Sequence, residues 1–206
     1  QNLTDGIELR DHLDDHREHR AVVVGGGYIG LEMAEAMHRR GLKVTIVERD
    51  PQPMSTLDPD MGALVAKAIR GIGIELRDNT DVEGFETDAE GHVRAVATSA
   101  GLIEADIVVL GIGVKPNSAL AEAVGIEIGA RGGVVTDQRM ATRAGGVWAA
   151  GDCVEVFHRV TRRPAAIALG THANKQGRVI GVNVTGGYAT FRGVIGTAIT
   201  KVCEYE

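Results

Sequence analysis

Apolar residues in this chain fall in short runs separated by glycine- and acid-rich turns, and their spacing changes character along its length. Thr4 to Arg20 is mostly polar and predicts a solvated helix and its exit. The run Arg20-Ala-Val-Val-Val-Gly25 follows, apolar without alternation, as expected of a strand covered on both faces in a parallel sheet. Ile29, Met33, Ala36 and Met37 then recur at helical spacing and predict a helix from Tyr28 to Arg40. Gly41 ends it, with Arg39 and Arg40 in the last turn, where positive charge suits the carbonyl end of the helix dipole. Leu42 to Glu48 predicts a second strand, completing one βαβ unit.

After the turn-rich Asp50-Pro-Gln-Pro-Met-Ser, the segment Asp60 to Arg70 predicts a second helix. Gly73 to Leu110 then reads as one antiparallel meander. Its strands lie near Ile74, Val82 to Phe85, His92 to Ala97 and Ile103 to Leu110, with turn signals at Asp78-Asn79, Ala89-Glu90-Gly91 and Ala100-Gly101. Beyond Pro116 the chain is loop-rich, with strands expected at Gly133 to Thr136 and Val147 to Ala150 and a closing helix from near Thr171.

Composition narrows the classes open to such a chain. With 206 residues, 44% of them hydrophobic, it can bury an ordinary core. The longest apolar stretch, Ile107 to Val114, falls far short of the roughly 20 residues a membrane helix needs, so no membrane partner is expected. A net charge of −6, with acids and bases interspersed, offers no continuous basic surface for nucleic acid. Cys153 and Cys203 have no CxxC spacing, so neither a zinc site nor a local redox pair is suggested. With no secretory signal in view, the expected compartment is the cytoplasm. The start at Gln1 leads us to expect a preceding segment. Twenty-eight glycines against 5 prolines point to close backbone approaches rather than disorder. His12, His16 and His19 have the spacing of a metal-binding helix face. The acids and bases around them describe a solvated helix instead, and no metal site is expected.

The chemistry lies first in Gly25-Gly-Gly27-Tyr-Ile-Gly30, a GxGxxG motif between a predicted strand and a predicted helix. Gly25 permits the tight turn, Gly27 lets a pyrophosphate approach the backbone, and Gly30 lets helix and strand pack closely. The helix N-terminus supplies unpaired N–H groups and the positive end of a dipole for the phosphates. Glu48, ending the second strand, is placed to accept hydrogen bonds from the adenosine ribose and to repel a 2′-phosphate. That favours NADH, although Arg49 beside it offers a guanidinium to a phosphate and keeps NADPH open.

Taken in order, GGGYIGLEMAEA, VTIVERD, LDPDM, VVLGIGVKPN and VWAAGDC resemble the pyridine nucleotide-disulfide oxidoreductase family over nearly the whole chain. The stretch Gly170-Thr-His-Ala-Asn-Lys-Gln-Gly-Arg178 is most similar to its coenzyme A-disulfide reductases, NADH oxidases and NADH peroxidases. The resemblance implies an α/β, Rossmann-like FAD/NAD(P)-binding fold, with a parallel sheet, an antiparallel β-meander and part of a second nucleotide-binding domain. It implies a linker helix over 1–19, an NAD(P)H-binding domain over 20–114 and the second half of an FAD-binding domain over 115–190. The start of a dimerisation domain would occupy 191–206, so a homodimer is expected of the full-length protein.

The same resemblance assigns further roles. Tyr28, with Ile29 beside it, corresponds to an aromatic gate over the flavin, and Glu32 to a carboxylate near the nicotinamide carboxamide. Gly111, Ile112 and Gly113 would border the nicotinamide end of the cofactor. Gly151 and Asp152 would hold the ribityl chain of FAD. Gly170, Thr171 and His172 would begin a helix whose amides face the flavin. The family's redox cysteine lies in a segment this chain lacks, so no catalytic residue is assigned, and Cys153 and Cys203 are read as packing residues. The implied activity is hydride transfer from NADH to FAD and onward to a disulfide, peroxide or oxygen. A ferredoxin or rubredoxin reductase and a non-catalytic NADH-binding module remain the alternatives.

Overall fold

The computed structural model describes residues 2–15 and 19–203. These form two compact units, one made of the described residues up to Gly113 together with those from Ile199 on, the other of Val114–Ala198.

The first unit begins with helix α1 (Leu3–Asp15) and is built on strands β1 (Arg20–Val24), β2 (Lys43–Val47), β3 (Glu75–Arg77) and β7 (Ile107–Leu110). They form a parallel sheet in the order β3-β2-β1-β7. Both faces are covered. Ala21, Val23, Val44 and Ile46 pack on one side against Leu31, Ala34 and Met37 of helix α2 (Tyr28–Arg39) and Ala66 and Ile69 of helix α3 (Pro59–Gly71). On the other side Val22 and Val47 meet Val96, Ile103 and Ala105. This two-sided burial is the physical reason β1 shows no polar alternation. Val202 and Cys203 are buried within the α2–α3 side of this core.

The expected four-strand meander is corrected by the structure. Of the strands expected there, β4 (Val82–Thr87), β5 (Val93–Thr98) and β6 (Gly101–Glu104) form an antiparallel sheet, in the order β4-β5-β6. The segment near Ile74 instead gives β3, which joins the main sheet with Thr45 opposite Glu75. The last predicted strand breaks in two, and β7 returns parallel to β1 with Ala21 opposite Ile107. The break is held by Asp106. Its carboxylate accepts the N–H groups of His19 (3.1 Å) and Arg20 (2.9 Å) and pairs with the Arg20 guanidinium at 2.6 Å. The Arg20 hydrogen bond holds the Asp106 carboxyl below the ordinary carboxylate range.

The second unit holds helix α4 (Ala119–Ala123), a three-stranded sheet ordered β10-β9-β8, and helix α5 (Gly170–Val184). Strand β8 (Val134–Val135) runs parallel to β9 (Val154–His158), and β10 (Arg163–Ala165) antiparallel to it. Its core gathers Val134, Met140, Val154, Val156 and Val194. The strand expected over 147–150 reduces to a single bridge between Ala141 and Trp148, while β9 and β10 have no counterpart in the sequence reading. The chain leaves the extended conformation at Gly151, whose φ of 82° starts a one-turn 3-10 segment, and strand pairing resumes only at Val154. Asn183 closes the end of α5 by donating to the carbonyls of Arg139 and Ala189, 2.9 Å each, and accepting the Ala189 N–H. No helix among the described residues is long and apolar enough to cross a membrane.

Candidate functional site

At the carboxyl ends of β1, β2 and β7 the first unit opens a cavity of about 490 Å³. Such edges are where ligands of open parallel sheets bind. Gly25, Gly27, Glu48, Arg49, Gly111 and Ile112 line it, and these are residues that the sequence patterns single out. Asp50, Thr80, Asp81, Val82 and Phe85 line it as well, and they were missed. Asp50 comes from the segment after β2, Thr80 and Asp81 from the β3–β4 connection, and Val82 and Phe85 from β4 itself, none of which a local motif links to the glycine loop. Their only signals are the turn residues around them.

The three motif glycines differ in what demands them. Gly25 has φ 99°, and a side chain there would meet the Gly111 carbonyl oxygen at 2.5 Å. Gly30 is buried against the preceding strand, with a Cβ position 1.9 Å from the Gly25 oxygen. These two are required by the protein's own packing. Gly27 has ordinary extended backbone, φ −80° and ψ −175°, and a Cβ there would meet no protein atom within 4 Å. The space beside it is open to a ligand at the first turn of α2, where unpaired N–H groups attract phosphate.

Glu48 makes contacts that the sequence did not show. One of its carboxylate oxygens accepts the Gly26 N–H at 2.6 Å, and the other accepts the Asp50 N–H at 2.8 Å. It thus ties the glycine loop to the segment after β2. From the other side the Gly26 carbonyl accepts the Met54 N–H at 2.9 Å, and Pro53 is within 3.2 Å of the position a Gly26 Cβ would take. The loop is therefore preorganised by its neighbours, which leaves less ordering to be done on binding. Each carboxylate oxygen keeps a lone pair for a ribose hydroxyl. Arg49 is exposed at the cavity and, among the described residues, has no ion-pair partner.

Tyr28, Ile29 and Glu32 all sit on the exposed side of α2, with Tyr28 40% and Ile29 44% accessible. They do not line this cavity. Gly113 is exposed with φ 89°, two residues past the Gly111 N–H, which donates to the Val24 carbonyl at 2.7 Å.

The remaining candidates lie in the second unit. Asp152 is exposed on the one-turn segment Gly151–Cys153, which contacts the first turns of α5. Gly170, Thr171 and His172 begin that helix. The His172 N–H returns to the Leu169 carbonyl at 2.9 Å, its ring packs edge-on to Phe191, and its Nδ1 is buried without a partner. The Cys153 thiol donates to the Ala150 carbonyl at 3.3 Å and packs with the unit's core. Gln176 is the residue sequence reasoning missed here. It is buried on α5, and its Oε1 accepts the Gly151 N–H at 2.7 Å. Among the described residues no group of three histidines, cysteines or carboxylates is placed to hold a metal ion, and His16 lies outside them.

The family model described as pyridine nucleotide-disulphide oxidoreductase matches residues 1–177. The chain is 34% identical over 204 residues to the NAD(P)H coenzyme A polysulfide/persulfide reductase of Pyrococcus horikoshii, covering 98% of this chain and 45% of that protein. It superposes on a NAD-dependent persulfide reductase from A. fulgidus with a TM-score of 0.93 at 38% identity, covering 98% of this chain and 37% of the other. A FAD-dependent pyridine nucleotide-disulphide oxidoreductase from Desulfovibrio vulgaris gives 0.85 at 36% identity, covering 93% and 49%. The chain thus spans less than half the length of these relatives.

Proposed function

The chain belongs to the pyridine nucleotide-disulphide oxidoreductase family, and from that premise we propose that it supplies the nicotinamide dinucleotide site and part of the flavin site of an NADH-dependent flavoprotein. The observation that carries this reading is the glycine loop over the cavity. Two of its glycines are required by packing, and the third leaves open space where a pyrophosphate needs it. When bound, FAD and the nicotinamide supply hydride and electron transfer, and the protein contributes binding and electrostatics.

The N-terminus of α2 binds the pyrophosphate. Glu48 accepts from the adenosine ribose, and Asp50 and Asp81 on the same cavity wall add negative charge that disfavours a 2′-phosphate. Arg49 is a solvated neighbour of the nucleotide. Gly111 and Ile112 border its nicotinamide end, and Gly113 lies just beyond them. Tyr28, Ile29 and Glu32 face the flavin side of the nicotinamide. Gly151 and Asp152 hold the ribityl chain, and the amides of Gly170, Thr171 and His172 face the flavin ring.

In this reading residues 1–19 are a linker helix, 20–114 the NAD(P)H-binding domain, 115–190 the second half of the FAD-binding domain and 191–206 the start of a dimerisation domain. The complete protein works as a cytoplasmic homodimer on a small molecule. Electrons pass from FAD through a cysteine outside this chain to a disulfide, peroxide or oxygen, with Cys153 and Cys203 as packing residues. The cofactor assignment is tested by titrating the chain with NADH and with NADPH in a calorimeter. NADH should bind more tightly by at least about tenfold, the effect of roughly 1.4 kcal/mol. Equal affinities would remove the acidic wall as the basis of cofactor choice.

A further inference from the structure

Gln176 is 2% exposed, an unusual place for a polar side chain with no charge to neutralise. Ala150 is extended, with φ −152° and ψ 166°, and Gly151 turns abruptly to φ 82°. That reversal takes the Gly151 N–H out of any strand ladder, and the Gln176 Oε1 accepts it at 2.7 Å. The same helix bears on the turn a second time, since Ala173 lies 3.6 Å from where a Gly151 Cβ would stand. The next residue on the turn is Asp152.

We propose that Gln176 is a positioning residue for the flavin: by holding the Gly151 N–H it sets the Asp152-bearing turn against the start of α5, so that the carboxylate and the helix amides meet one ligand. The inference rests on the reading that Asp152 holds FAD. What the position requires is an acceptor. Glutamate supplies one at the same length, whereas methionine keeps length and apolar volume and offers only a weak sulfur acceptor.

The test uses the full-length flavoprotein, stripped of FAD and titrated with it, following flavin fluorescence and the visible band of the bound flavin. NADH affinity is read on each variant as a measure of folding that does not depend on this turn. Gln176→Met should weaken FAD about tenfold and shift the flavin band, with NADH affinity unchanged, while Gln176→Glu should restore FAD affinity to within about twofold. Parent-like FAD affinity in Gln176→Met, or equal weakening in both variants, overturns the proposal. Should Gln176→Met fail to fold, Gln176→Glu decides alone: retained FAD supports the role, and lost FAD in a folded protein overturns it. Asp152→Ala separates this inference from the site on which it rests. If that variant loses FAD while Gln176→Met does not, only the role of Gln176 fails. If Asp152→Ala leaves FAD affinity unchanged, the flavin site itself is wrong and the proposal falls with it.

Discussion

A single methyl group separates two kinds of glycine in the loop. Gly27→Ala places a Cβ where no protein atom lies within 4 Å, on backbone that alanine adopts readily. Its melting temperature should stay level or rise slightly, since alanine in a compatible conformation adds about 0.4–1 kcal/mol of stability. NADH affinity should nevertheless fall by more than about tenfold, because the methyl would occupy the approach proposed for the phosphate. Gly30→Ala should do the reverse to the fold, losing about 1–3 kcal/mol by overpacking against the Gly25 carbonyl. Thermal melts and NADH titrations on the pair check both outcomes, and tight NADH binding by Gly27→Ala would place the pyrophosphate elsewhere. Glu48→Ala is a third case. It strips the acceptor from the Gly26 and Asp50 N–H groups, and with them the acceptor proposed for the ribose. With hydrogen bonds to charged groups contributing about 1.5–3 kcal/mol each, NADH affinity should fall about ten- to a hundredfold, with the preference over NADPH narrowed. An unchanged NADH to NADPH ratio would take Glu48 out of cofactor choice.

Among the elements, β7 shows how one ion pair redirects a chain. Its residues could have continued the antiparallel sheet begun by β4, β5 and β6. Asp106 instead fastens the start of β7 to the start of β1 through His19 and Arg20. Because the folded-state pKa of Asp106 is lowered by Arg20, its stabilisation is present in full above the ordinary carboxylate range. It is lost as pH falls through the lower, folded-state value. Glu75 at the start of β3, lowered chiefly by its hydrogen bond with Arg77, acts in the same direction. Denaturant unfolding of the chain should therefore show stability declining below about pH 4, where carboxylates ordinarily titrate. Asp106→Asn should be less stable at neutral pH and show a shallower decline. A variant with the parent's acid slope would mean that other carboxylates carry the dependence.

For the molecule as a whole, the cavity and the turn that bears Asp152 belong to different units. The cavity residues Gly25, Gly27, Glu48, Thr80 and Gly111 all belong to the first unit. NADH should therefore slow hydrogen exchange around 24–31, 47–54, 80–85 and 110–112 and leave α5 unchanged. The second unit offers Asp152 and the start of α5, while the relatives it resembles are more than twice as long as this chain. The chain with added FAD and a disulfide should accordingly bind NADH without oxidising it steadily, as followed by NADH absorbance. Turnover that disappears in Cys153→Ser would show that the thiol is catalytic rather than a packing residue.

What the sequence by itself determined is whatever short-range pattern encodes. The uninterrupted Ala21–Val24 run, the helical spacing from Ile29 to Met37 and the glycine loop between them specify a βαβ unit, because each depends on residues within a few turns of one another. Glu48 was legible for the same reason, at a characteristic distance beyond the glycines. Tertiary structure alone decided where β3 and β7 pair, since a strand of three or four residues carries no mark of its partner. It alone brought Asp50, Thr80, Asp81 and Phe85 to the cavity and gave Glu48 its hold on Gly26. It also set Gln176 beneath Gly151, a contact between residues 25 positions apart that becomes visible only when a helix folds back over a turn.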